Sequence, residues 1–181
     1  MSSEDTLTAN AESERNFLSI VSYNCRGSNL VKSCFINSLL LKCDNFFIQE
    51  HWLSDKQLLD LNQINTQFLS PAVCDFDNSD VLLGRPYGGC AILWRSDIRA
   101  RIEPVITNSR RICAICMRTD SWSVLFINVY MPYEDGEKRS DDFCSQLTTI
   151  EYIIHQHPDC QIILRGDFNV DFSINWFQTE L

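Results

Sequence analysis

Ile162-Ile163-Leu164-Arg165-Gly166-Asp167-Phe168-Asn169 is a short apolar run that ends on a glycine, a carboxylate and an amide. Two earlier runs close in a related way, Ile20-Val21-Ser22-Tyr23-Asn24 on an amide and Phe46-Phe47-Ile48-Gln49-Glu50 on a carboxylate. A fourth, Leu125-Phe126-Ile127-Asn128-Val129-Tyr130-Met131-Pro132, ends on a phenol and a chain-stiffening proline. Buried strands keep their middles apolar, so polar groups at their tips gather along one rim of a sheet, where α/β folds place ligands.

Between these runs the periodicity changes. Residues 17–23 begin the fold as a strand, and residues 28–42 carry Leu30, Val31, Cys34, Phe35, Leu39 and Leu40 near helical spacing, with Ser28 or Asn29 to cap the start. A helix there returns the chain across the sheet to the Phe46 strand, a βαβ unit. Ser54 followed by Asp55-Lys56-Gln57-Leu58-Leu59 reads as a capped short helix, after which Pro71, Asn78, Gly84 and Pro86 mark irregular chain. Residues 88–94, 111–117 and 122–130 read as strands joined without a helical pattern, for which antiparallel pairing is economical. Residues 146–157 place Leu147, Ile150, Ile153 and Ile154 at helical spacing before the last strand. The fold class is α/β with mixed, largely antiparallel sheets, over residues 17–181, preceded by a disordered acidic leader, 1–16.

At 181 residues with 45% hydrophobic content, the chain has the size of one domain with a substantial core. No stretch approaches the roughly 18 consecutive apolar residues of a membrane helix, and the polar, acidic start is unlike a signal peptide. An intracellular protein with no membrane partner is the expectation. Nine cysteines, an odd number without an export signal, read as reduced core residues. Cys113 and Cys116 form the only CxxC, and residues three apart in a strand point to opposite faces, which argues against zinc. A net charge of -9 speaks against a simple nucleic-acid binder, although a carboxylate site is itself negative until a divalent cation neutralises it.

Glu50 is the sharpest chemical candidate, because a carboxylate directly behind a buried strand needs a cation or a donor to offset its burial. Magnesium suits it, being held by one or two carboxylates and keeping waters for phosphate oxygens; the alternative is a strand-end acid already in solvent. Asp167 and Asn169, two apart in extended chain, face one reacting group, Asp167 to orient or deprotonate a water and Asn169 to donate to a developing oxyanion. Gly166 then lets the backbone pass close to a ligand, whereas an Asx turn closing the strand is the other reading of this segment. Asn24 offers its amide to a metal or a phosphate, or else forms a turn before Cys25-Arg26-Gly27, and Tyr130 reads as a phosphate donor or a sheet-edge aromatic. The segment Gly84-Arg85-Pro86-Tyr87-Gly88-Gly89 lacks the Lys-Ser/Thr of a phosphate loop and feeds a strand. His155 and His157 sit at a helix end and read as surface residues, and no serine lies in a nucleophile elbow.

Together Ser22-Tyr23-Asn24-Cys25-Arg26-Gly27, Gln49-Glu50-His51-Trp52-Leu53, Gly88-Gly89-Cys90-Ala91-Ile92-Leu93-Trp94, Val129-Tyr130-Met131-Pro132 and Gly166-Asp167-Phe168-Asn169 resemble the endonuclease/exonuclease/phosphatase superfamily. The likeness is closer to the apurinic-endonuclease-like domain of LINE-type non-LTR retrotransposons. It implies a DNase I-like four-layer α/β sandwich and metal-dependent nicking of DNA, with magnesium, or manganese in its place. It implies Glu50 and Asn24 at the metal, Asn24, Asn169 and Tyr130 at the phosphate, and Asp167, Asn169 and Tyr130 as the catalytic set. DNA and the other retrotransposon domains are the implied partners, and the nucleus the implied place of action. The family pattern continues to an Asp-containing motif and a closing Ser-Asp-His, whereas this sequence ends at Leu181, twelve residues after Asn169. The expectation is therefore an incomplete sandwich with impaired cleavage, or a non-catalytic magnesium- and phosphate-binding remnant.

Overall fold

The computed structural model describes residues 17–27, 30–70, 72–73, 88–132 and 137–170. The leader 1–16, the helix-capping pair Ser28 and Asn29, residues 84–87 of the glycine-rich segment and the last eleven residues lie outside them. The elements are β1 (Ile20–Asn24), α1 (Leu30–Leu40), β2 (Asn45–Gln49), a 3-10 turn (Asp55–Asp60) running into α2 (Leu61–Ile64), β3 (Phe68–Leu69), β4 (Ala72–Val73), β5 (Cys90–Arg95), β6 (Arg101–Val105), β7 (Ile112–Arg118), β8 (Ser123–Tyr130), α3 (Glu137–His155) and β9 (Gln161–Asp167). No described helix is long and apolar enough to cross a membrane.

Two sheets form. One has the order β1-β2-β5-β3, with β4 also on β5, and the other the order β6-β7-β8-β9. The βαβ expectation holds, since β1 and β2 are parallel across α1, and α3 carries the chain from β8 to a parallel β9. All other pairings are antiparallel.

Alternation along the strands sorts side chains into three apolar layers. Phe46 and Ile48 of β2 pack outward with Ile36 and Leu40 of α1 and Leu61 of α2. Phe47 turns inward to meet Ile92, Ile115, Met117 and Phe126 between the sheets. Leu125, Ile127 and Val129 of β8 face Ile150 and Ile153 of α3. The result is the four-layer order helix, sheet, sheet, helix, and it divides the CxxC as its spacing requires. Cys113 enters the middle layer and Cys116 the outer one, where its Sγ lies 3.5 Å from that of Cys160.

Several expectations need correction. Strand β5 pairs with β2 and lies in a different sheet from β7, because its fully buried residues suit an interior position that the β2 edge supplies. Strand β6 carries no sequence signal, since Arg101, Glu103 and Pro104 break any apolar pattern; it is an edge strand, the position that tolerates proline. Helix α3 begins nine residues before the apolar spacing does. Leu147 is exposed, and Phe143 packs toward the core in its stead. Gln57 Oε1 does accept from the Ser54 backbone N–H and hydroxyl, so the expected start of the short helix is present, in 3-10 form.

One polar residue crosses the apolar interface between the sheets. Asn128 is fully buried, its Nδ2 donates to the backbone oxygens of Ile48 and Ala91 at 2.8 Å each, and its Oδ1 accepts from Gln49 Nε2 at 2.6 Å. Replacing it with alanine removes three buried hydrogen bonds, and only Gln49 Nε2 keeps a further side-chain partner, Ser22 Oγ at 3.1 Å. Asn128→Ala is expected to lose about 3 kcal/mol of unfolding free energy in a urea titration. The buried thiols give a second test. Burial pushes Cys25 and Cys43 up to about 11 and Cys113 up to about 12 from an ordinary 9.0. The folded state keeps these protons while the unfolded chain releases them. The thiols' contribution is thus complete below about pH 9 and is lost as pH rises through about 11 for Cys25 and Cys43 and about 12 for Cys113. The urea midpoint is expected to fall over that window, less steeply in Cys113→Ala.

Candidate active site

Parallel pairing puts the carboxyl ends of β1 and β2 level in one sheet and those of β8 and β9 level in the other, and the Asn24–Asp167 contact shows that the two ends share one rim. Asn24 ends β1, Glu50 follows β2, and Tyr130 and Asp167 end β8 and β9 as register partners. The two sheets meet there through Asn24. Its Nδ2 donates to Glu50 Oε1 and to Asp167 Oδ2, each at 2.7 Å, so one amide joins a neighbouring strand's carboxylate to one 143 positions further along the chain from itself. The Asn24 Oδ1 accepts from the Arg26 backbone N–H at 3.1 Å, so the turn expected of this asparagine is present together with the clamp. Lys32 Nζ donates to the carbonyls of Cys25 and Arg26, both at 2.7 Å, and pins that turn.

Glu50 is partly buried and sits in left-handed backbone at φ 54, followed by Trp52 at φ 57. Such conformations cost of order 1–3 kcal/mol each in side chains of this kind. Hydrogen bonds on both sides hold them. The Glu50 N–H donates to the Gly89 carbonyl at 2.8 Å, the Trp52 N–H to the Gly88 carbonyl at 3.1 Å, and the Gly27 N–H to the Glu50 carbonyl at 2.7 Å. The Trp52 indole Nε1 donates to Glu50 Oε2 at 3.2 Å, so both carboxylate oxygens have a protein donor. His51, between them, is fully buried and its Nδ1 accepts from the Leu53 N–H at 3.0 Å.

At the other sheet the chain after Asp167 turns and does not stay extended. Asn169 has φ 51, its backbone N–H donates to Asp167 Oδ1 at 3.1 Å, and its Nδ2 donates to the Met131 carbonyl at 2.8 Å. This is the Asx-type closure, and it corrects the view that alternation aligns Asp167 with Asn169. Gly166 is needed for a protein neighbour. At φ 144 a Cβ would stand 2.0 Å from the carbonyl oxygen of Val129, its partner on β8. Arg111, just before β7, places its guanidinium 5.4 Å from the centroid of the Tyr130 ring.

The donor set is two carboxylates and an amide. Among the described residues no three His, Cys, Asp or Glu side chains gather as metal ligands. That set still fits magnesium, which binds through one or two carboxylates plus waters, and does not fit zinc. The Asn24 NH2 now fills the position between the carboxylates that a cation would neutralise. The sequence motifs pointed to Asn24, Glu50, Tyr130, Asp167 and Asn169. They gave no role to Trp52 or Gln49, although both stand in the Glu50 motif, nor to Arg111 or Asn128, because those roles depend on contacts with distant strands and left-handed turns.

Two mixed sheets packed face to face between helices, with polar groups collected on one rim, define the DNase I-like class of α/β sandwich. No protein-family model and no curated protein sequence matches the chain. Solved structures do. The endonuclease domain of TRAS1, a telomere-specific non-LTR retrotransposon, is similar with a TM-score of 0.60 and 15% identity, over 84% of this chain and 61% of that one. The 3' phosphatase NExo from Neisseria, bound to product DNA hairpin, gives 0.57 and 21%, over 85% and 58%. An endonuclease/exonuclease/phosphatase family protein from Bacteroides thetaiotaomicron gives 0.57 and 20%, over 87% and 65%. The chain therefore has the fold of the endonuclease/exonuclease/phosphatase superfamily, and it spans about three fifths of the TRAS1 domain.

Removing the shared donor leaves two carboxylates facing each other. Asn24→Ala is expected to lower metal-free stability by about 2 kcal/mol in a urea titration.

Proposed function

We propose that this rim is a magnesium-dependent phosphodiesterase site of the DNA-nicking type, weak in this chain taken alone. The observation that carries the reading is the single Asn24 amide bridging Glu50 and Asp167 from two sheets. Glu50 and Asn24 would hold the ion, Glu50 through its carboxylate and Asn24 through its amide oxygen. When bound, magnesium supplies Lewis-acid stabilisation to a phosphoryl oxygen. Asp167 orients the attacking water and accepts its proton. The Tyr130 phenol donates to the scissile phosphate, steadied by Arg111. Asn169 donates to the developing negative charge once its side chain swings off the Met131 carbonyl.

DNA is the substrate class this reading takes. In a chain of net charge -9, Arg26, Arg110 and Arg111 all sit on loops of this rim, where they offset repulsion of a phosphate backbone. The likeness to the TRAS1 domain supports an origin in a non-LTR retrotransposon, with that element's other domains as partners and the nucleus as the place of action.

Turnover is read as weak because no histidine is available to the phosphate. His51 is fully buried, and His155 and His157 lie at the end of α3, which runs away from the rim toward the start of β9. Lacking one donor of such a set, here a histidine beside Asn169, typically costs ~100- to 1,000-fold in rate. Supercoiled plasmid in magnesium is expected to convert slowly to nicked circles, and not at all with Glu50→Gln. Equal nicking by the two proteins, or rapid nicking by the parent, contradicts the reading.

A further inference from the structure

We propose that Trp52 is the positioning residue of the site: its indole N–H holds the outer oxygen of Glu50 and sets the carboxylate plane for the cation. The inference rests on the metal-site reading above and gives a role to a motif residue that the sequence reading left without one.

Asn24 secures Oε1 of Glu50 from one side. A carboxylate held at one oxygen still rotates about its terminal bond, and Trp52 Nε1, on Oε2 at 3.2 Å, removes that freedom. The local chain is shaped around this contact. Trp52 adopts φ 57, which a bulky side chain avoids unless its surroundings impose it. The ring lies against Gly27, where at φ 91 a Cβ would stand 2.4 Å from the Trp52 Cε3 atom, so only glycine admits the indole. Gly27 in turn donates its N–H to the Glu50 carbonyl, and the Trp52 N–H is held by Gly88. Loop, ring and carboxylate thus form one closed unit. Indole has a single polar hydrogen and no acceptor, so it orients the carboxylate without competing for the ion.

Two measurements test this. In metal-free protein, the indole N–H resonance of Trp52, assigned among four tryptophans by its loss in Trp52→Phe, is expected to move in Glu50→Gln and in Gly27→Ala. By calorimetry at a temperature well below its own metal-free thermal midpoint, Trp52→Phe, which keeps a ring but not the donor, is expected to bind manganese about 10-fold more weakly than the parent. An indole resonance indifferent to Glu50→Gln overturns the positioning role. Equal manganese affinity in Trp52→Phe also overturns it and leaves the metal site standing. Absence of manganese binding by the parent, with the indole response intact, overturns the metal site and this inference with it. If Trp52→Phe does not fold, the Glu50→Gln spectrum decides.

Discussion

A buried amide in an apolar interface tolerates one arrangement, and Asn128 imposes that arrangement on the two sheets. Its hydrogen bonds to the carbonyls of Ile48 and Ala91 and to Gln49 are satisfied at one stagger of β8 against β2 and β5. Apolar contacts among Phe47, Phe126 and Met117 are non-directional and favour contact without choosing a register. The consequence appears two residues further along each strand. Glu50 stands two beyond Ile48, Tyr130 two beyond Asn128, and Asp167 is the register partner of Tyr130. The pinned stagger brings the rims level, and Asn24 then reaches both carboxylates.

Strain collects on the same rim. The described non-glycine residues with positive φ are Arg26, Glu50, Trp52, Asn108 and Asn169, and all five lie on loops at this end of the sheets. Such conformations persist where neighbouring hydrogen bonds over-determine them. Here the bonds from Gly27, Gly88 and Gly89 to the Glu50–Trp52 segment do so. The pattern is that of a site held in shape before any ligand arrives. The Asn24 amide is part of that arrangement, because a neutral donor between Glu50 and Asp167 offsets their repulsion.

Much of the architecture was legible locally. Apolar runs with polar ends marked β1, β2, β8 and β9, and the single-sided spacing of Ile150, Ile153 and Ile154 marked the buried half of α3. Edge strand β6 was illegible because an edge needs no apolar alternation, and its Arg101, Glu103 and Pro104 look like loop. The polar first half of α3 was illegible for the matching reason that it has little apolar surface to bury.

The sequence by itself determined which side chains end the strands, and hence that Asn24, Glu50, Tyr130 and Asp167 stand at strand tips, because an apolar strand interior excludes them. Only the tertiary structure decided that these tips share one rim, that β5 joins β2, and that Asn169 closes a turn over Asp167 while Trp52 holds Glu50. Those outcomes depend on the Asn128 bonds between sheets and on backbone of positive φ. Neither leaves a periodic trace along the chain.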